Sequence, residues 1–159
     1  MDFNLITVAI ADYKIAKKPD ILRTVLGSCI GICLFDEEIN LGGLAHIMLP
    51  NKTAEAVNLK KYAETAIPMM IEDMTSEGAE ISRMKAKIIG GATMFKMASD
   101  SFIGSIGINN INRVREVLEE NEIPIIAEDV GGDYGRTIDF YTENGGVKIK
   151  SLGKEEKNI

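Results

Sequence analysis

The sequence is poor in the features that mark several large classes of protein. Its 159 residues include only two cysteines, Cys29 and Cys33. In an extended segment those two lie roughly 13 Å apart, beyond the reach of a disulfide, so both are read as reduced thiols. No apolar run approaches the about 18 to 20 residues that a membrane helix needs, because Gly, Asp, Glu or Lys interrupts each one. Membrane insertion is therefore not expected. Residues 1–10 carry Asp2 in place of a basic segment and have no small-residue cleavage signature, so the chain is read as cytoplasmic. Basic charge is also short. With 18 Lys and Arg against 24 Asp and Glu the net charge is −6, which argues against a nucleic-acid groove. Histidine is almost absent: His46 is the only one, and it is the natural candidate for a general base near neutral pH.

What remains is the composition of an ordinary globular chain, 45% apolar and 26% charged, long enough for one sizeable core without metals or disulfides. Alternation at Ile6, Val8 and Ile10 predicts a first strand. Further strands are expected over 21–26, 30–35, 41–49, 84–89, 123–127, 137–142 and 147–152, with a hairpin turn at Asn144-Gly145. Apolar residues at Ala63, Ile67, Met70, Ile71 and Met74 predict an amphipathic helix within 58–77, kinked at Pro68 or starting near it. A second helix is expected to start at Asn109 or Asn110 as N-cap and run through Ile111, Val114, Val117 and Leu118. No repeat or linker divides the chain. The reading is a single-domain layered α/β sandwich with mostly antiparallel or mixed strands and two principal helices, over 1–153, with a frayed tail at 154–159.

If 30–35 and 41–48 form a hairpin with Phe35 opposite Asn40, the register pairs Cys33 with Gly42, Gly31 with Leu44, and Cys29 with His46. Alternation then places Ile30, Ile32, Leu34, Leu41, Ala45 and Ile47 on a core face. Cys29 and His46 share the other face, which Gly31 and Gly42 make thin enough for a substrate side chain to approach. A thiol beside an imidazole can lose its proton, form a thiolate at neutral pH and attack an acyl carbon. The plain alternative is that Cys29 is a small buried hydrophobe and His46 a hydrogen-bonded strand residue.

Other candidates are weaker. Ser28 does not sit in a G-x-S-x-G elbow. One His and two Cys lack the H-x-E and P-C-x-x-C strings of zinc deaminases, so no metal or cofactor is expected. Gly90-Gly91-Ala92 and Gly131-Gly132 lack the spacing and the lysine of a phosphate loop and read as turns. Met69, Met70 and Met74 read as core rather than as a partner-binding stripe. Arg23 and Arg136 are available to bind a carboxylate if the chain is a small-molecule amidase.

Five segments taken together resemble one family. They are Thr24-Val-Leu-Gly-Ser-Cys29, Gly43-Leu-Ala-His46-Ile-Met-Leu-Pro50, Lys87-Ile-Ile-Gly-Gly-Ala-Thr-Met-Phe95, Asn109, and Glu128-Asp-Val-Gly-Gly-Asp-Tyr-Gly-Arg136. In this order they resemble the CheD family of chemoreceptor glutamine deamidases. The resemblance implies an architecture like that of Cys-His glutamine-deamidating toxins. It also implies Cys29 as nucleophile, His46 as base and Thr24 as third member; alternatively Thr24 caps a turn and a backbone carbonyl orients His46. The backbone N–H groups of Gly27 and Ser28 are the oxyanion candidates. The implied substrate is a glutamine on the cytoplasmic helices of methyl-accepting chemoreceptors, with receptor methyl esters able to enter the same cycle. A CheC-type phosphatase is the implied second partner. A rival reading is a regulatory module for that phosphatase with little or no catalysis, whose marker would be a damaged Cys-His pair; here both residues are intact.

Overall fold

A computed structural model describes residues 2–94 and 102–159. Among the described residues, ten strands and two principal helices build three layers. One sheet has the order β1 (Leu5–Thr7), β3 (Ile21–Leu26), β8 (Arg136–Tyr141), β9 (Val147–Lys150) and β10 (Lys157–Asn158). The other has the order β2 (Asp12–Lys17), β5 (Leu41–Ile47), β4 (Ile30–Asp36), β6 (Lys85–Gly90) and β7 (Ile125–Val130). Each sheet is antiparallel except for one parallel pair, β1 with β3 and β6 with β7. The second parallel pair requires a crossover, and α2 (Phe102–Glu120) supplies it. The layered, mixed α/β architecture expected from the sequence is the one observed.

β4 and β5 sit at the centre of their sheet and are buried on both faces, which is why they read as nearly unbroken apolar runs. Ile30, Ile32, Leu34, Leu41, Ala45 and Ile47 face α1 (Ala63–Ser76) and α2 in one core. Cys33 and Leu44 face the other sheet, packing with Leu22, Leu26, Ile138 and Phe140 in a second core. Thus the predicted core face is correct, but the opposite face is not a substrate approach. A Cβ on Gly31 would lie 3.0 Å from Leu26, and one on Gly42 would lie 2.9 Å from Phe140. These glycines let two sheets pack closely.

Several boundaries differ from expectation. The first strand covers only Leu5–Thr7, since the chain turns at Ala11 into β2, a strand the sequence reading missed. α1 starts at Ala63, five residues before Pro68, and continues past it to Ser76. Asn109 and Asn110 lie inside α2 rather than at its N-cap. The tail expected to fray is tied down: Lys157 and Asn158 pair with β9, and Ile159 exchanges both backbone hydrogen bonds with Val147. Met70 and Met74 are buried with their sulfurs near Gly43, as the core reading expects. Of the segments quoted above, Phe95 lies outside the described residues.

Candidate active site

Three segments meet where the chain crosses from one sheet to the other. β3 brings Thr24, the connecting loop 27–29 brings Cys29, and β5 brings His46. The β4–β5 register is displaced by two residues from the expected one. Phe35 faces Gly42, Cys33 faces Leu44, and His46 faces Gly31 rather than Cys29. A shift of two preserves which face each side chain takes, so Cys29 is placed diagonally from His46 and both line the same pocket. The turn has the assumed four residues but sits one position later, with Asp36 paired to Leu41 across it. Thr24, Cys29 and His46 all line one open depression of about 500 Å³, with Gly27, Ser28, Val25, Ile10 and Met94 on its walls.

The hydrogen bonds around His46 fix its tautomer. Thr24 Oγ1 lies 2.8 Å from the carbonyl oxygen of Val8 and 2.7 Å from His46 Nδ1. A hydroxyl has one proton, and a carbonyl can only accept. Thr24 therefore donates to Val8 and accepts from Nδ1–H, which leaves Nε2 with its lone pair. Nε2 has no partner among the described residues and is not sealed from solvent. Thr24 and His46 are themselves buried, at 2% and 4% exposure, so the pair is shielded from competing water.

Burial also sets the protonation states. It pushes the His46 imidazole down to about 4 and the Cys29 thiol above its ordinary value. Both shifts disfavour a resting thiolate–imidazolium pair, so the expectation of a thiolate at neutral pH is corrected. Burial thus favours the neutral thiol and the neutral imidazole.

The loop 27–29 is held by its carbonyls. Gly27 O accepts from Ala92 N at 3.0 Å, and Cys29 O accepts from Gly91 N at 2.9 Å. Ser28 O accepts from Asn110 Nδ2 at 3.1 Å. The N–H groups of Gly27, Ser28 and Cys29 donate to no acceptor among the described residues. Every carbonyl of the loop is thus anchored to the fold. Gly90 and Gly91 both have positive φ, and a Cβ on Gly90 would sit 2.3 Å from Cys29 O. Close backbone approach, not phosphate binding, explains this glycine pair. The second glycine turn backs it, with Gly131 N bonded to Gly90 O and Thr93 N to Gly132 O.

Neither arginine considered for carboxylate binding is at the pocket. Arg23 makes a forked pair with Asp139, and Arg136 is buried against Asp129, the Gly131 carbonyl and Tyr134. Cys33 lies between the sheets, away from the pocket. The residue missed at the sequence level is Asn110. Its signal was a polar side chain next to Ile111 and four residues before Val114, on the buried stripe of an amphipathic helix.

Residues 48–151 match the family described as CheD chemotactic sensory transduction. That segment begins just after His46. A protein of Caldanaerobacter subterraneus subsp. tengcongensis named probable chemoreceptor glutamine deamidase CheD is 46% identical over 162 aligned positions, covering 100% of both chains. The chain belongs to the CheD family. A CheD relative from Clostridium botulinum strain Hall, with the same name, is 47% identical over 162 positions, again across 100% of each chain. Among solved structures, the hypothetical protein YfiH of Bacillus licheniformis superimposes with a TM-score of 0.50 at 15% identity, over 74% of this chain and 49% of that one. This likeness concerns the fold alone. Both CheD relatives extend over the part of the chain that holds Thr24, Cys29 and His46.

Proposed function

We propose that the chain hydrolyses the side-chain amide of specific glutamines on methyl-accepting chemoreceptors, giving glutamate and ammonia, with the 1–153 domain acting as one catalytic unit in the cytoplasm. The observation that carries this reading is the Val8–Thr24–His46 chain of hydrogen bonds, which presents an unprotonated Nε2 in the same pocket as Cys29. The printed names of full-length relatives point to the same substrate class.

The proposed cycle uses His46 twice. As the amide carbon approaches, Nε2 takes the Cys29 proton and the sulfur forms a bond to that carbon. The oxygen becomes an oxyanion, and the free amides of Gly27, Ser28 and Cys29 are its candidate donors. One such donor is typically worth about 10²- to 10³-fold in rate. Imidazolium then protonates the leaving nitrogen, the C–N bond breaks, and ammonia departs from a thioester. Nε2 next takes a proton from water as its oxygen attacks the thioester carbon. The C–S bond breaks, the sulfur recovers the proton, and glutamate leaves. Thr24 acts in both halves as a positioning residue, holding Nδ1–H so that Nε2 stays the basic nitrogen. A receptor methyl ester would follow the same course with methanol leaving in place of ammonia. Because the imidazole and thiol are neutral at rest, proton transfer is coupled to attack and no free thiolate waits in the pocket.

The test is peptide mass spectrometry on receptor cytoplasmic fragments incubated with wild type and with Cys29→Ala. Conversion of glutamine to glutamate by the wild type alone supports the enzyme and its nucleophile together. If a folded wild type converts nothing on several receptors, the deamidase reading fails. Binding to a CheC-type phosphatase, the second partner implied by the family resemblance, then becomes the function to measure.

A further inference from the structure

Asn110 takes no part in the chemistry above, yet its placement is costly. It is fully buried on α2, beside Ile111 and on the stripe that includes Val114. Asparagine is a poor choice for a helix interior, and a buried amide is stabilising only when its polar atoms are paired. Here Nδ2 donates to Ser28 O at 3.1 Å and to Met48 O at 2.9 Å, while Oδ1 has no partner. Turning the amide over would set Oδ1 against two carbonyl oxygens, so the observed orientation is forced and the unpaired oxygen is its consequence. A leucine of similar size would fill the space but would leave the Ser28 and Met48 carbonyls without their donor.

What Asn110 achieves is a link between two particular segments. Ser28 immediately precedes the proposed nucleophile, and Met48 follows the base-bearing His46 by two residues on the chain leaving β5. A single planar amide therefore sets the spacing between the nucleophile loop and the base-bearing strand. α2 is close enough for this because Gly107 meets the glycine turn backbone to backbone: a Cβ there would lie 2.4 Å from Gly91 O. Through Gly91 and Ala92 that same turn holds the other two loop carbonyls.

We propose that Asn110 is a positioning residue, clamping loop 27–29 against the end of β5 so that the Cys29 sulfur meets His46 Nε2 and the loop amides stay free. The proposal rests on the Cys-His reading of the site, and its test separates the two. Asn110→Leu, Asn110→Asp and His46→Ala are made in the full chain with Cys33→Ala, so that Cys29 alone reports on thiol chemistry. Melting temperature, kcat and KM on a receptor fragment, and the rate of Cys29 alkylation by iodoacetamide are measured for each.

Asn110→Leu leaves two carbonyls without a donor, so it is expected to fold with a melting temperature lowered by a few degrees and to hold KM within about twofold. Its kcat should fall about 10- to 100-fold, the scale of an ångström-sized misplacement. Its alkylation rate should drop to that of His46→Ala. Asn110→Asp sets an ionised carboxylate against two carbonyls, and burial raises its pKa. Its alkylation rate, relative to the parent at the same pH, should recover between pH 8 and 5.5 as the protonated acid regains a donor. Wild-type-like kcat and alkylation in Asn110→Leu would overturn the proposal. So would a fall in melting temperature with alkylation unchanged, which is a purely structural role. If Asn110→Leu does not fold, a folded Asn110→Asp that shows no recovery with falling pH overturns it equally. Absence of glutamate formation by the parent defeats the deamidase reading, while the alkylation comparison still decides Asn110.

Discussion

A single imidazole makes the site unusually easy to interrogate at the residue scale. With His46 pushed down to about 4 by burial, its one set of ring proton signals should titrate near that value by NMR rather than near the ordinary 6.5. The acid limb of kcat/KM should move with it, leaving activity nearly level between pH 8 and 5.5. A midpoint near 6.5 in either measurement would mean that the pocket is wetter than the structure shows. Thr24 makes a sharper case. Thr24→Val keeps the shape but removes the acceptor for Nδ1–H and the donor to the Val8 carbonyl. It should lower kcat about 10- to 100-fold and destabilise the fold by about 1 to 3 kcal/mol, and Thr24→Ser should restore most of both. Equal kinetics in the Val variant would assign His46 orientation to another group. Cys29 and His46 could be picked out of the sequence because scarcity isolates them, one histidine and two thiols in the whole chain. The tautomer could not, because the deciding acceptor is the Val8 main-chain oxygen, and nothing in a residue's identity tells which carbonyl a loop will present.

The elements themselves were legible wherever a periodic pattern faced one environment. α1 and the strands from β3 to β6 follow their apolar spacing, and the Asn144-Gly145 turn has the positive φ at Gly145 that its composition demands. β2 was missed because its buried positions, Tyr13 and Ala16, do not alternate strictly with solvent-facing ones. The start of α2 was misplaced because Asn110, a good capping residue by type, is used inside the helix. The two-residue register error at the β4–β5 hairpin has a related origin: parity is written in the side chains, but the position of the turn is not. Gly107 offers the clearest test at this scale. Alanine is favoured over glycine in a helix interior by about 1 kcal/mol, so Gly107→Ala should stabilise α2 taken alone. With Gly91 O only 2.4 Å from where the Cβ must go, the whole protein should instead lose about 1 to 3 kcal/mol and the nucleophile loop should loosen with it. Ile108→Ala, next in sequence but half exposed, should change urea stability by under about 0.5 kcal/mol. Matching midpoints for the two variants would show that α2 does not bear on the glycine turn.

At the scale of the whole molecule, burying an uncharged histidine ties the site to acid stability. An imidazole at about 4 in the folded chain and 6.5 when unfolded means that the unfolded chain holds more protons between those values. Stability contributed by His46 is therefore complete above pH 6.5 and is lost as pH falls toward 4. The loss relative to neutral pH is about 1 kcal/mol at pH 5.5 and about 2 kcal/mol at pH 4.5. Asp36 adds a second, more acidic window. Its burial raises the carboxyl, but the Arg83 fork and the amides of Glu38 and Glu80 more than offset this and hold it below the usual carboxylate range. Its contribution persists above that range and disappears only as pH falls through the lowered value. The two windows can be separated by urea titration of wild type and His46→Gln at pH 7, 5.5 and 4.5. The variant should lack the loss between 7 and 4.5 that belongs to His46, so the gap between the two curves should shift by about 2 kcal/mol over that range. Parallel curves would place the folded imidazole at its ordinary value and remove the electrostatic argument for a neutral catalytic pair. The same desolvation that makes Nε2 a persistent base thus gives the fold its sensitivity to acid, because a site between two sheets must exclude water to hold the Thr24–His46 bond.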